Sequence, residues 1–139
     1  MVGISEGEYP FLGSRLFRDM LSAKNLYREL RFNVRLPASL FTEDEAKREA
    51  LGDSRVLVQG VIDCIVEYAD GSLGLFDYKT DRLTREELLD VSLAEAKLRE
   101  KHSLQLSYYA MAVKEMFGKE PRVVEVYSLA LGDTVDVKL

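Results

Sequence analysis

Cysteine and histidine occur once each in this chain of 139 residues, and proline only three times. A lone Cys64 excludes an intrachain disulfide and an iron–sulfur cluster held by the chain's own thiolates. No apolar run exceeds strand length, so no membrane span is expected. The N-terminus carries Glu6 and Glu8 and lacks the basic-then-apolar pattern of a secretion signal. Low-complexity tracts and internal repeats are missing, and so is a phosphate-cradling Gly-x-x-x-x-Gly-Lys-Ser/Thr loop. The expectation is a single cytoplasmic domain, residues 1–139, with one core.

A strong positive charge is missing too. The formal net charge of −5 argues against a protein that coats nucleic acid. It leaves room for an enzyme acting on nucleic acid, because active-site acids count in that total and a metal ion cancels them locally. Residues 1–40 carry six Arg or Lys against four acids. That excess fits either a solvated surface or a DNA-facing patch.

Periodicity predicts the elements. Tyr9 to Leu26 reads as a helix with Ser14 as a candidate N-cap. Glu29 to Leu36 alternates apolar and polar residues, as a strand with one wet face does, and ends at Pro37. Thr42 to Asp53 is a loop or short helix. Arg55 to Tyr68 is nearly continuous in Val, Ile and Leu and is expected to be buried on both faces. Leu73 to Lys79 returns beside it. Two helices follow, Glu86 to Glu100 and Ser103 to Phe117, with His102 near their junction and Gly118 closing the second. Pro121 to Leu131 and Thr134 to Leu139 read as strands around a turn at Gly132-Asp133. The order implies an α/β sandwich with a mixed sheet.

The chemistry is concentrated in Asp77-Tyr78-Lys79-Thr80-Asp81. Asp77 and Lys79 are two apart on one strand, so they share a face at roughly 7 Å between Cα atoms. A carboxylate that holds a divalent cation and an ammonium that reaches the same phosphate form a phosphodiester-cleaving pair. Asp63, fourteen residues upstream, sits among Ile62, Cys64, Ile65 and Val66. A carboxylate in such a run is costly unless it meets a cation or several donors. On strict alternation it shares a face with Leu57, Val61 and Ile65, and Gly60 just before it would admit a ligand or another backbone. In this reading Asp63 and Asp77, with the Tyr78 carbonyl, bind Mg²⁺ or Mn²⁺ through hard oxygens, and Lys79 stabilises charge on the phosphate.

This requires Asp63 and Asp77 to face each other across an antiparallel pair. A three-residue loop, Ala69-Asp70-Gly71 with Gly71 left-handed, places them opposite. A two-residue turn at Asp70-Gly71 sends them to opposite faces. Gln105 and Tyr109 lie four apart on one helix face. They either contact a DNA phosphate or Lys79, or find backbone partners on an ordinary amphipathic helix. His102 is either a ligand or an exposed residue near a helix start.

Three segments together carry a resemblance: Gly60-Val61-Ile62-Asp63, the Asp77–Asp81 block, and Gln105-Leu106-Ser107-Tyr108-Tyr109-Ala110. They are similar to the three motifs of RecB-type nuclease domains of the PD-(D/E)XK superfamily, and most like the C-terminal nuclease domain of AddA helicase–nuclease subunits. Arg28-Glu29-Leu30-Arg31-Phe32 is similar to an entry strand of that group. The resemblance implies a restriction-endonuclease-like mixed β-sheet flanked by helices. It also implies metal ligands Asp63, Asp77 and Tyr78, a catalytic Lys79, and supporting roles for Gln105 and Tyr109, with Glu29 a further residue near the site. An Mg²⁺-dependent DNA exonuclease acting with a helicase in double-strand-break repair and recombination follows. Its implied partners are DNA and an AddB-like second subunit. The alternative is an inactive nuclease-like module that binds DNA or a partner. No histidine precedes Glu29, where many members place a metal ligand, and helicase motifs are lacking. The chain is therefore expected to be a C-terminal piece of a larger helicase–nuclease or a stand-alone relative.

Overall fold

A computed structural model describes residues 10–137 and 139. The predicted helix start at Tyr9, and Lys138 in the predicted last strand, lie outside the described residues. The elements are α1 (Arg15–Ser22), β1 (Asn25–Pro37), α2 (Glu45–Leu51), β2 (Arg55–Glu67), β3 (Leu73–Lys79), α3 (Arg85–Leu89), α4 (Val91–Phe117), β4 (Val123–Ser128) and β5 (Asp133–Asp136). Short 3-10 turns at Pro10–Gly13 and Ala38–Phe41 precede α1 and follow β1.

The five strands form one sheet in the order β1-β2-β3-β4-β5. The β3–β4 pair is parallel and the others are antiparallel, so the sheet is mixed as expected. Helix α4 provides the crossover that a parallel pair requires. Its residues Ala94, Leu98, His102 and Leu106 recur every four positions and are buried. With Ala112 and Val113 this stripe covers one sheet face, where Leu98, Leu106 and Val113 meet Ile62, Ile65, Leu75 and Val126. On the other face, Leu16 of α1 closes a second cluster with Cys64, Val66, Phe76 and Tyr127.

Ser14 caps α1 as predicted, its side chain accepting from the Phe17 N–H at 3.1 Å. The expected helix over residues 9–26 is shorter, because Asn25 and Leu26 already belong to β1, paired with Glu67 and Val66. The chain from Thr42 to Asp53 holds α2, capped by Asp44.

Two expectations require correction. First, one helix runs from Val91 through His102 to Phe117, preceded by the short α3 with its Thr84–Glu87 capping box. No glycine or proline interrupts residues 91–117, so nothing breaks the helix at His102. Second, β2 is not buried on both faces. Val56, Leu57 and Val61 are 39%, 50% and 42% exposed. The partner strand β3 is short and pairs only with Cys64 to Glu67, so the first half of β2 extends past it with β1 as a two-stranded ribbon.

Candidate active site

The hairpin between β2 and β3 sets the site. Gly71 has φ +86°, its N–H reaches the Tyr68 carbonyl at 2.9 Å, and Tyr68 N–H reaches the Ser72 carbonyl at 2.9 Å. This is the three-residue loop, and the ladder it starts runs from Glu67–Leu73 to Cys64–Phe76. Continued by one residue, that register sets Asp63 against Asp77. The ladder instead gives way there. Hydrogen-bonded pairs alternate, so the next backbone acceptor for Tyr78 N–H would be the Ile62 carbonyl, and its partner is Asp63 Oδ2 at 2.8 Å.

A second irregularity coincides with the first. Ile62 and Ile65 both enter the core beneath α4, yet residues three apart in a regular strand face opposite ways. Alternation therefore slips by one at Asp63–Cys64. The same slip occurs on β1, where Tyr27 and Leu30 both pack against that core and Glu29 between them has φ +50°. Asp63 accordingly does not share a regular face with Leu57, Val61 and Ile65, which corrects the expectation. Leu57 and Val61 are exposed, whereas Ile65 is buried under α4.

Asp77 and Lys79 share a face of β3, and their positions are held by parallel pairing to Val126 and Ser128. Lys79 Nζ stands 2.7 Å from Asp77 Oδ2 and donates to Gln105 Oε1 at 2.7 Å. Gln105 Nε2 donates in turn to the Tyr109 hydroxyl at 3.1 Å. The Tyr109 ring is edge-on to Phe32, with centroids 5.5 Å apart. Gly60 makes that packing possible: a Cβ there would lie 2.7 Å from Phe32 Cζ and 3.3 Å from Tyr109 Cε1.

The structure thus gathers Asp63, Asp77, Tyr78, Lys79, Gln105 and Tyr109 at one end of β3. Glu29 flanks Asp63 in the β1–β2 register but is exposed and makes no ion pair among the described residues.

Electrostatics mark Asp77. Burial, followed by its hydrogen-bonding proximity to Asp63, pushes its carboxyl up to about 6, against the opposing pull of Lys79. Its Oδ2 is buried and within ion-pair distance of Lys79, yet no described donor is aligned to hydrogen-bond it. Two carboxylates this close repel unless a proton or cation lies between them. Their oxygens and the Tyr78 carbonyl are the hard donors that Mg²⁺ or Mn²⁺ takes, so the residues fit such an ion. Among the described residues no three His, Cys, Asp or Glu side chains gather closely enough to hold a metal. A cation here would have two carboxylates to meet, and any further ligands would have to be carbonyl, water or phosphate oxygens.

One cluster had no assigned role in the sequence. Asp81, at the end of the block that starts with Asp77, is ion-paired with Lys101, and its Oδ1 lies 2.7 Å from Nε2 of His102. His102 is 8% exposed and sits one turn before Gln105 on α4, so its expected exposed position is corrected. The pairing ties the β3 exit to the helix that carries Gln105.

A family model for the PD-(D/E)XK nuclease superfamily matches residues 11–136. The chain belongs to that superfamily. Its mixed sheet flanked by helices agrees with the superfamily's restriction-endonuclease-like architecture. The chain is also similar to proteins named as ATP-dependent helicase/nuclease subunits. That of Acetivibrio thermocellus is 34% identical over 117 residues, 84% of this chain and 9% of the relative. That of Desulforamulus reducens is 35% identical over 127 residues, 91% of this chain and 9% of the relative. That of Bacillus velezensis is 37% identical over 106 residues, 76% of this chain and 8% of the relative. The chain therefore spans about a tenth of the length of these relatives.

Proposed function

We propose that this member of the superfamily is a divalent-metal-dependent deoxyribonuclease domain. It cleaves phosphodiester bonds exonucleolytically during double-strand-break repair and recombination. The observation that carries the reading is the convergence of Asp63, Asp77 and Lys79, joined to Gln105 and Tyr109 by hydrogen bonds. Similarity to helicase/nuclease subunits supports work beside a helicase in the cytoplasm, on DNA and in company with an AddB-like protein. Residues 1–139 act as one nuclease domain. Among the described residues no helix is long and apolar enough to cross a membrane.

Asp63, Asp77 and the Tyr78 carbonyl would hold Mg²⁺ or Mn²⁺. When bound, the ion lowers the pKa of a water and offsets charge on the phosphate. Lys79 brings a positive charge to the phosphoryl oxygens as they gain negative charge. Gln105 fixes the ammonium by accepting one of its protons, and Tyr109 fixes Gln105. Asp63 also keeps β3 in place through the Tyr78 N–H, so its two oxygens divide between structure and site.

The test is cleavage of end-labelled single- and double-stranded DNA by the chain across Mg²⁺ and Mn²⁺ concentrations, beside Asp77→Ala and Lys79→Ala. Loss of cleavage in both variants with folding intact supports the assignment. An inactive DNA-binding module would bind the same DNA and leave it uncut under every condition.

A further inference from the structure

Past the end of β3 the β1–β2 ribbon presents two faces. Phe32, Val34, Leu36 and Ile62 turn one of them into the core beneath α4. The other carries the cross-strand pairs Arg31–Val61, Asn33–Gln59 and Arg35–Leu57, with Arg55 at its far end. All of these residues are exposed, and none packs against either core cluster. In a chain of net charge −5 this face holds three arginines and no carboxylate. Their guanidinium groups make no ion pair among the described residues, although the connecting segment from Glu43 to Asp53 is rich in acids. Arg28, set against Cys64 of the cluster beneath α1, brings another exposed guanidinium nearer the site.

We propose that this ribbon face is a track for the DNA backbone, holding several phosphates to one side of the scissile bond. The track rests on the nuclease reading and deepens it, and it gives the basic excess of residues 1–40 a role. Arg31 and Arg35, four apart on one strand, stand roughly 13 Å from each other. That is too far to share one anion, so the arginines suit a chain of phosphates rather than a free phosphate or a nucleotide. Arginine offers donors alone, and Asn33 and Gln59 add amide donors of the kind that bind phosphate oxygens. Leu57 and Val61 give the guanidinium stems an apolar floor. The ribbon leads to Asp63, where alternation slips and the carboxylate turns to the site. From Arg55 to Asp63 is roughly 26 Å of strand, so a backbone laid along it reaches the carboxylates held by several contacts. Charge complementarity and this continuity favour DNA over an acidic protein surface as the occupant.

The experiment measures binding of a fluorescent thymidine oligonucleotide to the chain by anisotropy in EDTA, across a series of salt concentrations. Cleavage of the same strand is followed in Mn²⁺. Each phosphate contact contributes about 0.7 to the slope of log affinity against log salt on a single strand. Arg31→Gln, Arg35→Gln and Arg55→Gln together should make that slope shallower by about 2, weaken binding at least about tenfold in low salt, and raise KM. Arg31→Lys, Arg35→Lys and Arg55→Lys together keep the slope, because the charge remains. Lys24→Gln, Lys119→Gln and Arg122→Gln remove equal charge at the hairpin end of the sheet and should leave the slope as it is. Circular dichroism verifies folding, and Arg31→Glu alone tests the same direction where the triple variant unfolds. A ribbon variant with the slope of the unaltered chain, equal losses in ribbon and control variants, or no binding of DNA by the unaltered chain overturns the track. Cleavage with unchanged KM in the folded ribbon variant overturns it while leaving the nuclease reading standing. Failure to cut any DNA while the ribbon-dependent slope persists overturns the nuclease reading alone.

Discussion

The Lys79 ammonium and the Gln105 amide oxygen stand 2.7 Å apart, although one ends strand β3 and the other lies midway along α4. The contact joins sheet and helix at the point where the carboxylates gather. Gln105→Ala leaves Lys79 paired only with Asp77, so the ammonium settles toward that carboxylate. Single-turnover cleavage is expected to fall about tenfold. The melting temperature should change little, since the bond is solvent-accessible.

The Asp81–His102 pair carries the complementary stability prediction. Asp81→Ala leaves a buried imidazole without its acceptor and removes the partner of Lys101, at an expected cost of about 1–3 kcal/mol. Denaturant melts would show this, and Asp81→Asn should recover part of the loss. Lys101 first, then His102, hold the Asp81 carboxyl down at about 2, below its usual value. Its contribution is therefore present at neutral pH and fades as pH drops from about 4 toward 2.

Asp77 has the opposite sign. Its carboxyl, raised to about 6 mainly by burial, binds a proton more tightly in the folded than in the unfolded chain. Without metal, stability should decline as pH rises from about 4 to 6 and stay low above that. Asp77→Asn removes the buried charge and should stabilise the metal-free chain at pH 7 by about 1–2 kcal/mol while abolishing cleavage. Thermal melts in EDTA beside cleavage assays give both readings. Below pH 6 a divalent ion must displace the Asp77 proton, so its apparent affinity should weaken about tenfold per pH unit.

Gly60 tests whether Tyr109 needs its present seat. An added methyl would meet the Phe32 ring at 2.7 and 2.8 Å, and that ring already supports Tyr109. Gly60→Ala is expected to cost about 1–3 kcal/mol through overpacking. It should also reduce kcat more than substrate binding, because Tyr109 and then Gln105 shift.

How far these features were legible in the sequence differs from residue to residue. The separation of Asp77 and Lys79 fixes their shared face from local chemistry alone. Gly71 suits a two-residue turn as well as a three-residue loop, so the sequence left open whether Asp63 lies across from Asp77, and the register settles which loop forms. The slip in alternation at Asp63 is invisible because Val61 to Val66 is apolar on either side, so the run carries no phase to read. His102 draws attention as a break because polar residues surround it, yet its burial depends on Asp81, 21 positions earlier in the chain. The open half of β2 reflects the length of β3, which nothing within β2 encodes. Phe41 and Tyr108 likewise meet only because the turn after β1 folds back on α4.

The most direct test of the cation-dependent site is the rate at which the chain cuts a labelled single strand in Mn²⁺, set against Lys79→Ala and against an EDTA control. The unaltered chain should cut only when the divalent ion is present, and the folded variant should be at least about 100-fold slower. Undiminished cutting by Lys79→Ala, or cutting that persists in EDTA, would contradict the role assigned to Asp63, Asp77 and Lys79.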